Sequence, residues 1–197
     1  MERSELEIFL ESRDILLRAE SYEEARKKFR WPGVRNFNWA LDYFDSRDPG
    51  RPALVWINDE LLDSRDKKVF TYGKLRALSN SMANGLRELG LGRGDAIMVM
   101  MGNKPELFIS FLAIMKIGGI ISPATTLLTP SDVEDRARRA NIKAIIADST
   151  VADRVDSVRD RLPTVKAFIS TEARKGWVDL GEVYEGKTEN YRPDFTT

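Results

Sequence analysis

The stretch from Asp95 to Asp132 constrains the fold more than any other part of the chain. It opens with a continuous apolar run, Ala96 to Met101, which has the length of a strand. The run from Leu107 to Ile117 has the length of a helix and is apolar on nearly every face, so we expect it to be buried. Residues 120–123 predict a second short buried strand. Together they predict a βαβ unit of a parallel sheet that is covered on both faces.

The residues between these runs predict where each element begins and ends. Asn103 can accept hydrogen bonds from the first free N–H groups of the helix, and Pro105 suits its first turn. Gly118 and Gly119 can adopt the left-handed conformation that ends a helix. Pro123 has no N–H group to donate, so we expect it to stop the second strand.

The same alternation continues on both sides of this unit. Before it, the sequence predicts a short aromatic-rich helix, a strand, a polar hairpin-like loop, a return strand and a helix, at residues 37–44, 53–57, 58–68, 69–71 and 72–89. After it come a helix, a strand, a helix capped by Asp148 and a strand, at 129–140, 144–147, 149–161 and 165–169. This order predicts an α/β fold with a largely parallel sheet and flanking helices.

The first 30 residues predict a helical arm in two pieces. Ser4 with Glu7 and Ser21 with Glu24 form capping-box patterns. The arm carries one apolar stripe at helical spacing, and its polar face mixes acids with bases. Packing against the body of the protein is therefore favoured over a membrane helix or a partner helix.

The chain divides into three parts on this interpretation. Residues 1–30 are the helical arm, residues 31–180 are the α/β body, and residues 181–197 are an irregular tail. From Ser170 onward periodicity fades and polar residues dominate, so we expect a loop there.

Composition excludes several classes of function. The chain has 197 residues, a formal net charge of zero, no Cys and no His. A neutral chain does not favour a nucleic-acid partner, and the lack of Cys suits a cytoplasmic protein. Within these residues a Ser-His-Asp triad and a Cys- or His-based metal site are impossible. No apolar run reaches the roughly 20 residues needed to span a bilayer.

Two segments bear on ligand binding. Gly181 to Thr188 matches the phosphate-loop pattern G-x-x-x-x-G-K-T, but two glutamates lie in it and no buried strand leads into it, so we interpret the match as chance. Pro123 to Thr126 leaves the carboxyl end of a predicted strand, where open α/β sheets bind ligands. A simple strand-to-loop transition explains that segment equally well.

Several ordered motifs resemble one family, the adenylate-forming acyl-CoA synthetases. Residues 70–75 (FTYGKL) look like that family's T-Y-x-E-L motif, although Lys74 stands where an acid is usual. Residues 115–123 (MKIGGIISP) look like its K-x-G-x-x-x-x-P segment, and 91–95 (LGRGD) like its L-x-x-G-D. Residues 37–42, 123–129 and 176–177 resemble the medium-chain branch. The resemblance covers about residues 31 to 180.

The resemblance implies a ligase of fatty acid metabolism that works in two steps. A carboxylic acid, here of medium chain length, attacks the α-phosphate of Mg-ATP to give an acyl-adenylate and pyrophosphate. The thiol of coenzyme A then displaces AMP. Such chemistry depends on positioning and preorganised charge.

The resemblance also implies where this chain takes part. Thr125, Thr126 and Leu127 map near the family's acyl or pantetheine region, with Leu127 where the medium-chain branch commonly has glutamine. No catalytic residue and no metal ligand of the family maps onto this chain, and its phosphate loop would begin just after Thr197. We therefore expect a truncated N-terminal fragment that is inactive and binds no cofactor alone. The alternative is a binding or assembly module that pairs with a separately encoded remainder or forms a homo-oligomer.

Overall fold

A computed structural model describes residues 4–57 and 67–193. The α-helices are α1 (Glu5–Arg18), α2 (Tyr22–Lys28), α3 (Tyr72–Glu88), α4 (Pro105–Lys116), α5 (Pro130–Arg139), α6 (Ala152–Asp156) and α7 (Leu180–Tyr184). The strands are β1 (Pro52–Ile57), β2 (Lys67–Thr71), β3 (Ala96–Met100), β4 (Ile120–Ala124), β5 (Ile142–Ala147), β6 (Ala167–Ser170) and β7 (Val178–Asp179). Trp39–Phe44 forms a short π-helix. Most of the predicted loop at 58–68 lies outside the described residues.

The predicted α/β fold is confirmed. Five strands form one parallel sheet in the order β4-β3-β5-β6-β7, and β1 and β2 form a separate antiparallel pair. Because α4, α5 and α6 connect the strands from β3 to β6 in turn, helices cover both faces of the sheet.

Alternate side chains of β3 serve two different cores. Ile97 and Val99 pack with the layer that contains α3, α4 and α7. Met98 and Met100 pack with the layer that contains α5 and α6. All four side chains are essentially fully buried, as the continuous apolar run predicts for a central strand.

The start of α4 differs from the prediction. Lys104, not Asn103, takes the N-cap position, and no side chain caps the helix. Pro105 explains the shift, because the residue before a proline is pushed into extended conformation while proline itself suits the first helical position. The carbonyl of Asn103 instead accepts a hydrogen bond from Trp56 Nε1 at 3.0 Å.

The end of α4 is as predicted. Gly118 has a φ of +69°, which strongly favours glycine. Its N–H donates to the carbonyl of Met115 at 3.0 Å, and the N–H of Gly119 donates to that of Ile114 at 2.9 Å. Most of α4 is buried, as expected from a segment that is apolar on nearly every face, but Phe108 is 40% exposed.

The prediction of a second buried strand that ends at Pro123 is wrong. Among the described strands β4 lies at the edge of the sheet, and Ile120 is 56% exposed. Pro123 lies inside the strand, opposite Val99. An edge strand tolerates proline because one side of its backbone needs no partner in the sheet.

The predicted helix at 149–161 is broken into three short pieces. A 3₁₀ turn at Ser149–Val151 precedes α6, and a second 3₁₀ turn follows at Arg159–Arg161. The side chain of Asp148 makes no capping hydrogen bond. It is directed instead to the loop that follows β3.

The segment after Ser170 is more ordered than its composition suggests. It forms β7 and α7, and both Leu180 and Val183 are buried. Gly85 in α3 allows this packing, because a Cβ at that position would lie 1.8 Å from the carbonyl oxygen of Val183. A five-residue helix is too short to show a periodic hydrophobic pattern, so α7 could not be predicted from the sequence.

The arm forms the two predicted helices. Ser4 and Glu7 complete a capping box, whereas the carboxylate of Glu24 bonds the N–H of Glu20 instead of that of Ser21. Neither helix buries a residue. The arm contacts the body through Phe9, whose ring stacks on Phe37 with centroids 4.8 Å apart. None of the described helices is long and apolar enough to cross a bilayer.

Candidate functional site

The carboxyl ends of the parallel strands define the candidate site. β4 and β5 lie on opposite sides of β3. Successive strands are therefore added in one direction before β4 and in the other direction after it, and the switch point lies between β3 and β5. A crevice at such a switch point is the usual ligand site of an open α/β sheet. The loops that follow β3, β4, β5 and β6 meet at this edge.

The crevice between β3 and β5 is filled by the chain's own polar groups. Asp148 Oδ2 accepts a hydrogen bond from the N–H of Gly102 at 2.8 Å, and Asp148 Oδ1 lies 2.8 Å from Lys104 Nζ. The residue is only 7% exposed. Since an ammonium and a backbone N–H group compensate this buried carboxylate, it braces the loop after β3.

The loop after β5 is braced on its other side by the end of β6. The N–H of Ser149 donates to Thr171 Oγ1 at 3.1 Å, and the N–H of Thr171 donates to the carbonyl of Ala147 at 3.1 Å. The loop after β4 takes part in none of these bonds, and Thr125 and Leu127 on it are exposed.

The three residues predicted for substrate binding lie on that open loop, in different environments. Leu127 is 81% exposed and Thr125 is exposed, whereas Thr126 is half-buried. Thr125 Oγ1 accepts a hydrogen bond from the N–H of Leu127 at 3.3 Å. The hydroxyl of Thr125 therefore stabilises the turn. The side chain of Leu127 projects into solvent, where it presents an apolar surface.

Arg154 of α6 fixes this loop, a role that the sequence did not reveal. Its guanidinium donates to the carbonyl of Thr126 and, at 3.4 Å, to that of Leu128. Leu128 is buried among α5 and α6. In the sequence Arg154 stands in a run of alternating charges, which is typical of a solvated helix face, so the pattern gave no signal.

A cleft of about 440 Å³ lies beyond the ends of β6 and β7. Its lining residues are Trp56, Lys68, Phe70, Lys104, Pro105, Glu106, Thr171, Glu172, Asp179, Leu180, Gly181, Tyr184 and Glu185. Burial raises the pKa of Tyr184, and the nearby carboxylates of Glu106, Glu185 and Asp179 raise it further. The cleft is therefore electronegative around Tyr184.

The phosphate-loop pattern at 181–188 lacks the geometry that phosphate binding needs. Its first residues lie in α7, and the N–H of Gly181 already donates to Asp179 Oδ1 at 2.7 Å. Lys187 is paired with Glu88, and no helix begins at it. The interpretation of the match as chance is supported, since a cradle of free N–H groups is missing.

A buried ion pair lies outside this edge, between the π-helix, α3 and α4. Lys116 Nζ is 2.8 Å from Asp45 Oδ2 and 2.6 Å from Asn80 Oδ1, and its side chain is fully buried. Burial raises the pKa of Asp45, with Lys116 acting against it, and burial lowers the pKa of Lys116. The pair joins the π-helix, α3 and α4, and we assign it a structural role.

The described residues offer no set of metal ligands. In residues 4–57 and 67–193, no three Asp, Glu, His or Cys side chains are grouped so that they could hold a metal ion. We therefore assign no Mg²⁺ ligand to this part of the chain.

Comparison with known proteins places this geometry in context. Residues 41–193 match the family model described as "AMP-binding enzyme". Two similar curated proteins are acyl-coenzyme A synthetase ACSM4, mitochondrial, of Rattus norvegicus and ACSM3, mitochondrial, of Mus musculus. The first is 30% identical over 179 residues, which cover 85% of this chain and 30% of that protein. The second is 29% identical over 182 residues, which cover 87% and 31%. The chain thus spans about 30% of the length of these relatives.

Solved structures share the fold. Acetoacetyl-CoA synthetase from Streptomyces lividans superposes with a TM-score of 0.70 at 23% identity, over 83% of this chain and 27% of that one. A benzoate CoA ligase from Burkholderia xenovorans LB400 gives 0.63 at 22%, over 82% and 30%. The resemblance drawn from the sequence motifs is confirmed.

Proposed function

Because this chain belongs to the AMP-binding enzyme family, we propose that it is the N-terminal part of an ATP-dependent acyl-CoA synthetase. The enzyme would convert a carboxylic acid, ATP and coenzyme A into acyl-CoA, AMP and pyrophosphate. The observation that carries the proposal is the similarity to named acyl-coenzyme A synthetases over 85% of this chain.

We propose a medium-chain acid as the substrate, which would place the enzyme in fatty acid metabolism. The support is the likeness of residues 37–42, 123–129 and 176–177 to the medium-chain branch. The predicted compartment is the cytoplasm, whereas the named relatives carry the word mitochondrial. The division into arm, body and tail remains part of the same proposal.

The loop after β4 is our candidate for contact with the acyl or pantetheine chain. Arg154 donates hydrogen bonds to the backbone carbonyls on either side of Leu127, so Leu127 lies on a fixed turn. An exposed leucine offers an apolar surface and no hydrogen bond. Its partner would be a methylene chain, since removing the apolar surface of both groups from water lowers the free energy of the complex.

Residues 1–197 alone are proposed to lack adenylation activity. In the described part of the chain the single phosphate-loop pattern is closed by α7 and by the pairing of Lys187 with Glu88. ATP and Mg²⁺ would therefore be held by other residues of the enzyme, and this chain would supply structure and the loop at 125–127.

The test compares two proteins. The whole open reading frame that contains this chain is expressed and assayed for acid-dependent pyrophosphate release and acyl-CoA formation, with acids from butyrate to dodecanoate. Residues 1–197 are assayed in parallel. We expect activity from the first and none from the second. Lack of activity with every acid would contradict the ligase, and pyrophosphate release by residues 1–197 would contradict their inactivity.

A substitution then tests the loop. Leu127→Glu places a charge on the proposed apolar path, and we expect kcat/KM for the acid or for CoA to fall by roughly tenfold or more. The KM for ATP should not change. Leu17→Glu is the matched control, because Leu17 is 71% exposed and lies on the arm. Equal effects of the two substitutions would remove Leu127 from the site.

A further inference from the structure

The end of the arm carries an unusual concentration of positive charge. Residues 26–35 contain five cations, Arg26, Lys27, Lys28, Arg30 and Arg35, and no carboxylate. All five residues are exposed. Lys28 is paired with Glu24 at 2.5 Å. In the part of the chain that the structure describes, the other four side chains have no carboxylate partner.

The acids of α2 precede this segment in the chain. Glu23 and Glu24 occupy the first turn of α2, and the basic residues begin in its last turn. Glu24 is held by Lys28 and by the N–H of Glu20, and Glu5 Oε2 accepts a hydrogen bond from the N–H of Arg35 at 3.0 Å. With Glu20 and Glu23, these are fewer negative charges than the five cations of the segment. The segment 26–35 therefore presents a mostly positive surface.

A tryptophan lies in the middle of this surface. Trp31 is 86% exposed, and its ring contacts only the edge of Phe29 among the described aromatic pairs, at 5.2 Å. Tyr22 is 73% and Leu17 is 71% exposed nearby in the chain. Exposed Trp beside Lys and Arg is the composition of segments that lie in the headgroup region of a bilayer.

We propose that residues 26–35 are a docking surface for a membrane that carries anionic lipids. The cations would lie against the headgroups, and the Trp31 ring would enter the interface with its apolar faces. The exposed Leu17 in the same arm favours hydrocarbon over nucleic acid, whose bases stack on aromatic rings. The proposal rests on the arm surface and not on the proposed ligase.

A vesicle-binding experiment tests the proposal on the 197-residue chain. Sedimentation is measured with vesicles of 7:3 phosphatidylcholine to phosphatidylglycerol and with vesicles of phosphatidylcholine alone. We expect binding to the anionic vesicles that weakens as salt shortens the Debye length. Equal binding to both vesicles, or none to either, would overturn the proposal.

Two variants with matched controls locate the surface. The triple change Arg26→Gln, Lys27→Gln, Arg35→Gln removes three cations whose side chains make no hydrogen bond within the described residues. At about 1 kcal/mol for each cation, the partition coefficient should fall by roughly 100-fold. The control removes three exposed cations of α5, with Arg136→Gln, Arg138→Gln and Arg139→Gln. An equal loss in the control would show a non-specific charge effect and overturn the assignment.

Trp31→Ala tests the aromatic anchor. We expect a loss of roughly tenfold in partitioning, because a large apolar ring no longer leaves water. Ile120→Ala is the control at another exposed apolar side chain, which is 56% exposed. Unchanged circular dichroism shows that each variant is folded. Trp31-dependent dimerisation without vesicle binding, or Trp31-dependent binding of single-stranded RNA, would assign the surface to another partner and contradict the membrane.

Discussion

Lys116 is a charged residue whose side chain is fully buried. A lysine in the last turn of an apolar helix would ordinarily be expected at the surface, yet its side chain is fully buried against Asp45. The pKa shifts of both partners point towards their neutral forms, because burial raises the pKa of Asp45 and lowers that of Lys116. Burial therefore works against the charge on both partners, and their contact joins three elements.

Removing one partner should be far worse than removing both. We expect Lys116→Met to lower the free energy of unfolding by about 3 kcal/mol at pH 7, because it leaves the buried Asp45 carboxylate with only the weaker influence of Arg76. The double variant Asp45→Asn, Lys116→Met should be near neutral. Urea unfolding of the wild type, both single variants and the double variant measures the coupling. Additive effects of the two single changes would contradict it.

The pH dependence gives that same experiment a second readout. A carboxyl group with a raised pKa contributes stability that is complete below its ordinary pKa of 3.8 and is lost as pH rises through its folded value. Lys116→Met raises the pKa of Asp45 further, so its stability should fall more steeply from pH 4 to pH 7 than that of the wild type. The double variant should lack this slope.

Residue roles were predictable only where they depend on local sequence. The Ser4–Glu7 box and the left-handed Gly118 follow from spacing and from φ, and both were predicted. Arg154 was not, because its hydrogen bonds reach residues 26 and 28 positions away. The exposure of Leu127 likewise depends on how α6 holds the loop.

Elements with a long, clear period were predictable, and short or edge elements were not. The buried stripe of α3 and the all-apolar β3 carry their own signal. β4 has the composition of a buried strand, but it is partly exposed because it lies at the edge of the sheet. The order of strands in the sheet cannot be deduced from the composition of one strand. α6 and α7 have five residues each, fewer than a period can reveal.

The packing of α7 on α3 depends on one glycine. A Cβ at Gly85 would lie 1.8 Å from the Val183 oxygen and 2.8 Å from its carbonyl carbon, so α7 must move away. Although alanine is the better helix former by about 1 kcal/mol, we expect Gly85→Ala to destabilise the protein by roughly 1–3 kcal/mol. Hydrogen exchange should increase over 178–185.

Gly92→Ala is the control for this glycine. A Cβ at Gly92 would meet nothing within 4 Å, and no positive φ is recorded there. Its stability, measured by urea unfolding, should stay within about 0.5 kcal/mol of the wild type. A Gly85→Ala variant as stable as this control would show that α7 does not need the close contact.

At the scale of the molecule, the two cores share the sheet while the arm stands apart. Ile97 and Met98 are neighbours in β3 but face different cores, so neither core can form without that strand. The arm instead depends on surface contacts, such as the bond from Arg13 Nη1 to the Tyr43 hydroxyl at 2.8 Å. The sequence-based boundary at residue 30 therefore predicts that the arm can be deleted and that the α/β body will still fold.

Two deletions test that boundary. Removing residues 1–30 loses the contacts of Phe9 and Arg13 but no residue that is buried within the described range 4–30, so we expect native circular dichroism and a loss of about 1–3 kcal/mol in the free energy of unfolding. Removing residues 1–45 also takes away Asn38, whose Nδ2 donates to the Met115 carbonyl at 2.7 Å, and the Asp45 partner of Lys116. This second protein should fail to fold, since α4 then ends in a buried, unpaired ammonium.

Urea unfolding of both proteins checks the expectation. Equal midpoints for the two would show that residues 31–45 belong with the arm, and an unfolded first protein would show that the arm is part of the core.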